Sequence, residues 1–94
     1  MTKRLSIEFL PSFERDLKRL EKKKIDKTKL LKVIEDLSYN KPLAPKYRDH
    51  QLKGKLKDYR ECHIESDWLL MYRKDNTRLI LVLVRTGTHD EILQ

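Results

Sequence analysis

The chain has 94 residues, enough for one domain with a single thin core. Charged residues make up 39% and hydrophobic residues 38%, a balance that fits one sheet with helices on one side better than a three-layer fold. A net charge of +7 favours polyanionic partners, and no apolar run approaches the roughly 20 residues of a membrane span.

The first element is a short strand, in which Leu5, Ile7 and Phe9 alternate with Ser6 and Glu8. Pro11 and Ser12 end it and open a helix. Phe13, Leu17 and Leu20 then recur at helical spacing. A second helix is expected from about Asp26 to Ser38 on the stripe Leu30, Ile34 and Leu37. The two together read as a helical hairpin. From Asn40 to Lys57 periodicity fails, and Pro42, Pro45 and Gly54 mark an irregular basic loop that carries His50. Long ordered loops in small domains are often functional.

Beyond the loop the pattern is extended. Arg60, Cys62 and Ile64 alternate with Tyr59, Glu61 and His63, so the two sets lie on opposite faces. Glu65 and Ser66 begin a turn, and Trp68 to Tyr72 form the next strand. Leu79 to Val84 is an unbroken apolar run, the mark of a central strand buried on both faces, with Arg85 at its end. A short tail follows, polar except for Ile92 and Leu93. The predicted order is β-α-α-β-β-β in one α+β domain spanning 1–94. The predicted shape is a curved, mostly antiparallel sheet, with the helices on one face and the other face open.

Cys62 is the lone cysteine and cannot form an internal disulfide, which points to a reducing, cytoplasmic setting. The N-terminal residues show no leader-like apolar region. Cys62 and His63 are adjacent in a strand and diverge, so a nucleophile pair is not expected; Cys62 reads as core. His50, His63, Asp67 and His89 lack the spacing of a zinc site, and no cofactor is expected.

The histidines suit acid/base work near neutral pH, and Arg85 is a fork suited to phosphate. RNA supplies its own nucleophile, the 2′-OH. Two acid/base groups and a cation are enough to cleave it without a metal.

The segments LAPKYRDHQLKG, KDYRECHIESDWLLMYR and VRTGTHDEIL resemble the YafQ branch of the RelE-type toxins of bacterial toxin–antitoxin systems. The resemblance implies a ribosome-dependent endonuclease that cuts mRNA in the ribosomal A site. His50, His63, Asp67 and His89 fall on the family's acid/base positions, and Arg85 falls on that of its phosphate-holding arginine. Lys46, Arg48, Lys53, Lys55, Lys57, Arg60 and Trp68 are expected to contact RNA or the ribosome. Leu93 stands near the place where the family often has a stacking Phe. The implied partners are the 70S ribosome with its mRNA and a DinJ/RelB-like antitoxin, two of each chain forming a heterotetramer. Two other readings compete: a ParE-like gyrase inhibitor, and an RNA- or ribosome-binding module without catalysis. Arg85 could instead form a structural ion pair with Glu61 or Asp67, while Glu61 and Glu65 are expected to be solvated or paired with loop lysines.

Overall fold

The computed structural model describes residues 4–92. Strand β1 (Ser6–Phe9) leads through Leu10 into helix α1 (Pro11–Lys22), which has Pro at its start, where the missing N–H costs nothing. Helix α2 spans Thr28–Ser38. It starts two residues later than the apolar pattern suggests, because the Asp26 carboxylate accepts from both the Thr28 N–H (2.9 Å) and its hydroxyl (2.7 Å) in a turn before the helix. Lys24 and Asn40, just past the two helices, take positive φ.

Four further strands and a third helix follow: β2 (His50–Gln51), β3 (Arg60–Glu65), β4 (Trp68–Asp75), β5 (Ile80–Gly87) and α3 (His89–Ile92). The spatial order is β1-β5-β4-β3-β2, with β1 parallel to β5 and every other pairing antiparallel. The α+β class, the helical pair and the mostly antiparallel sheet therefore stand. The β-α-α-β-β-β order is corrected by two short elements. A two-residue strand forms inside the expected loop, because His50 and Gln51 pair with Glu61 and Arg60. The expected polar tail closes into one helical turn, begun by Thr88 and Glu91 capping one another.

The main core lies between sheet and helices. Phe13 and Leu20 of α1 and Leu30, Val33, Ile34 and Leu37 of α2 meet Cys62, Ile64, Trp68, Leu70, Tyr72, Leu81 and Leu83. Cys62 is fully buried, as expected of a core residue, and burial pushes its thiol up to about 12, with the Asp49 and Glu61 charges adding to the effect. Strand β1 departs from simple alternation: Leu5 is buried, whereas Phe9 is 48% exposed.

The opposite sheet face is not open at its centre. Leu69, Met71 and Val82 are buried there, apart from the helix-side cluster, and Glu61 is buried too. An irregularity in β5 sets what this face presents. Tyr72 pairs with Leu83 but Met71 pairs with Arg85, so Val84 is an extra residue. Strict alternation from Leu81 and Leu83 would send Arg85 toward the helices. The bulge instead puts it in register with Met71 on the outer face and turns Thr86 inward.

Candidate active site

The register assembles the site in two rows on the outer face. His50, Glu61, Met71 and Arg85 lie side by side across β2, β3, β4 and β5. His63, Leu69 and Gly87 form the next row across β3, β4 and β5. Adjacent strands are about 4.8 Å apart, so His50 and Arg85 are separated by about 14 Å at the backbone. Asp67 stands in the β3–β4 turn and His89 opens α3, both at the same end of the sheet. The Asp67 carboxylate accepts from the His89 backbone N–H at 3.3 Å, joining these two expected site residues directly.

His50 is held on both sides. Its Nδ1 lies 2.6 Å from the Arg48 carbonyl, which can only accept, so Nδ1 carries a proton. Nε2 is the atom left for chemistry, and it faces Glu61 Oε1 at 3.6 Å. That contact is an ion pair when the imidazole is protonated. Glu61 is 2% exposed, and its Oε2 has no hydrogen-bond partner among the described residues. The expectation that Glu61 is solvated or lysine-paired is therefore corrected. It lies under His50, two residues along β3 from His63 and on the same face. Glu65 does pair with a lysine, Lys29 of α2, at 3.1 Å.

The residue preceding His50 fixes the loop to the sheet. Asp49 accepts from the Tyr72 hydroxyl and pairs with Arg60 (3.3 Å). Arg60 also donates to Tyr72 and Gln51, so this expected RNA contact is occupied within the protein. Burial raises the Tyr72 phenol well above its ordinary value, with the Asp49 contact adding to it.

Arg85 does form a structural ion pair, but not with Glu61 or Asp67. Its partner is Asp16 of α1, through Nε (2.7 Å) and Nη2 (3.2 Å). Nη2 also donates to the Glu91 carbonyl of α3 (3.2 Å). Arg19 joins the network through Asp16 (3.1 Å) and the Glu91 carboxylate (3.0 Å). Asp16 is buried, which opposes its ionisation. The hydrogen bonds from Arg85, Thr86 and Arg19 outweigh that and hold its carboxyl below the usual value. Gly87 sits within this network at φ +152°. A Cβ there would meet Glu91 Oε1 at 2.7 Å and Arg19 Nη2 at 2.8 Å.

Trp68 is 8% exposed and sends its indole N–H to Thr86 Oγ1 at 2.9 Å, so it packs in the core and offers no face for stacking. Lys46, Arg48 and His63 border a cleft of about 630 Å³ together with Lys29 and Tyr47. Lys53, Lys55 and Lys57 are exposed on and beside a single 3₁₀ turn, Gly54–Leu56. Leu93 lies outside the described residues. Among the described residues no three His, Cys, Asp or Glu side chains converge as metal ligands.

A small basic α+β domain that carries histidines and a held arginine on the outer face of a five-stranded mixed sheet is of the toxin type that the sequence resembles. The chain matches the family model of YafQ, a bacterial toxin of type II toxin–antitoxin systems, over residues 5–94, and it belongs to that family. It is 39% identical over 84 residues to the mRNA interferase toxin YafQ of Escherichia coli K12, covering 88% of this chain and 89% of that one. A metal-bound toxin from Helicobacter pylori superposes with a TM-score of 0.88 at 49% identity, covering 94% of this chain and 98% of the other. YafQ in the E. coli DinJ–YafQ toxin–antitoxin complex superposes with a TM-score of 0.87 at 35% identity, covering 97% and 99%.

Proposed function

We propose that this chain is an mRNA interferase that cuts mRNA in the ribosomal A site. The observation that carries this reading is the placement of His50, His63 and Arg85 on the outer sheet face, with Asp67 and His89 joined to one another beside it. The naming of its E. coli relative as an mRNA interferase toxin supports the same reading.

In this mechanism a base takes the proton of a ribose 2′-OH. The 2′-oxygen bonds to the adjacent phosphorus, and the bond to the 5′-oxygen breaks. An acid protonates that oxygen as it leaves. The products are a 2′,3′-cyclic phosphate and a 5′-OH, with no net redox change. His89 acts next to the 2′-OH, and Asp67, already bonded to its backbone, acts across the phosphate. Arg85 neutralises charge on the phosphorane. His50 and His63 supply further proton and phosphate contacts, with Glu61 fixing the charge beneath His50. Lys46, Arg48, Lys53, Lys55 and Lys57 hold polyanionic RNA by charge.

The partner in the cytoplasm is an antitoxin of the DinJ type, in a heterotetramer of two toxins and two antitoxins. The relative in complex with DinJ supports that choice. The test is primer extension on an mRNA translated in a reconstituted reaction, with and without ribosomes. New 5′ ends within the reading frame that require ribosomes are the expected result. Intact message beside ongoing protein synthesis would overturn the reading.

A further inference from the structure

We propose that Asp16 of α1 is a positioning residue for cleavage, setting the direction from which Arg85 meets the scissile phosphate. The proposal rests on the function given above. Asp16 is 2% exposed and lies on the apolar stripe of α1, between Phe13 and Leu20. Its two oxygens accept four hydrogen bonds: Arg85 Nε (2.7 Å), Arg85 Nη2 (3.2 Å), the Thr86 N–H (3.0 Å) and Arg19 Nη1 (3.1 Å). A buried ion pair is a weak source of stability, since an apolar residue of similar volume often does as well. The charge at this position calls for another explanation, and the geometry of Arg85 supplies one.

The bulge at Val84 puts Arg85 on the outer face, yet its guanidinium returns over the free edge of β5 to α1. Beyond Leu83, β1 no longer pairs with that edge, and Asp16 takes its place on the Thr86 N–H. Nε and Nη2 of Arg85 are committed to Asp16 and to the Glu91 carbonyl. Among the described residues Nη1 alone keeps both N–H groups for a ligand, so a phosphate meets a guanidinium already fixed in plane and rotation. Arg19, one turn along α1, grips both Asp16 and Glu91, and Glu91 belongs to the helix that His89 opens. A misplacement of about 1 Å at a reacting group can cost about 10²-fold in rate.

The test is single-turnover cleavage on programmed ribosomes by Asp16→Asn, Arg85→Gln and the double variant, with ribosome affinity measured in parallel. Asp16→Asn should lower the cleavage rate by about 10²-fold at nearly unchanged affinity. It should cause no further loss in the Arg85→Gln background. Equal losses in both backgrounds, or no loss at all, would overturn the proposal. Failure of the unmodified protein to cleave would instead strike the function on which it rests. A measurement on the unmodified protein covers the case in which Asp16→Asn does not fold. The Arg85 guanidinium should give a slowly exchanging Nε–H signal and distinct, slowly rotating Nη signals by NMR at pH 7. Averaged Nη signals, like those of free arginine, would likewise refute a fixed guanidinium.

Discussion

The two basic parts of this molecule are built on opposite plans. At the α1–β5–α3 end, Arg85 and Arg19 are tied to Asp16 and Glu91 through hydrogen bonds and ion pairs, and Asp16 is buried. At the Gly54–Leu56 turn, Lys53, Lys55 and Lys57 are exposed, and among the described residues none has an ion-pair partner. Charge that must act on one atom needs orientation, and orientation needs a network. Charge that must attract a polyanion needs only to be present and solvated. The proposed chemistry and the proposed binding therefore separate along the chain.

The largest expected effect tests the first plan. His89→Ala removes an exposed side chain from the start of α3 and should leave the melting temperature unchanged. Cleavage on ribosomes should fall by about 10²–10⁴-fold, the usual contribution of a general acid or base. Cleavage at the unmodified rate would remove His89 from the site. Gly87→Ala comes next. Its Cβ would press on Glu91 Oε1 and Arg19 Nη2, at a φ of +152° that disfavours side chains. A loss of about 1–3 kcal/mol is expected in the urea unfolding free energy. An unshifted urea midpoint would mean that the network yields freely and is not a rigid frame.

How far the sequence foretold these two plans differs by region. Strand alternation alone placed His63 and Glu61 on one face and Cys62 and Ile64 on the other, because a period of two is local. The lysine turn was equally plain, since exposed charge is read from composition. What alternation cannot register is an extra residue. The bulge at Val84 decides where Arg85 points, and an unbroken apolar run such as Leu79 to Val84 carries no mark of it. The pairing of His50 with Glu61 was hidden for a related reason, as it depends on a two-residue strand formed only by tertiary contact. Asp16 carries a signal of its own. A carboxylate on the stripe of Phe13, Leu17 and Leu20 must find a cation when buried, and Arg85 is such a cation. Glu61 similarly looked like a solvated strand residue, because sequence does not show which outer-face positions are covered.

The second plan is tested by neutralising Lys53, Lys55 and Lys57 to Gln. Folding should be unaffected, as no Cβ contact surrounds Gly54 and the turn touches little. Ribosome affinity should fall, and the slope of log affinity against log salt should shrink by about two, from roughly 0.7 per lost phosphate contact on single-stranded RNA. An unchanged salt slope would show that this turn is not a binding element, and the contrast between the two regions would lose one side.

Acid provides the smallest effect and sharpens the contrast from the other side. The carboxyls of Asp16 and Glu91 both lie below their ordinary values of 3.8 and 4.5 in the folded chain. For Asp16, hydrogen bonds from Arg85, Thr86 and Arg19 overcome the opposing effect of burial. For Glu91, the Thr88 N–H leads, against a smaller effect of burial, and the Arg19 charge adds to it. Because the folded state binds these protons less readily than the unfolded state, the network's stabilisation is complete above the ordinary values. It declines as pH falls through the lowered ones. The urea midpoint should thus be level from pH 7 to about 5 and drop below about pH 4. Asp16→Asn should start lower and show a shallower drop, so the gap from the unmodified protein narrows with acidification. A gap of constant width down to the onset of acid unfolding would mean that Asp16 acts through packing and not through its charge. The frame around Arg85 would then have to be attributed to Arg19 and Glu91.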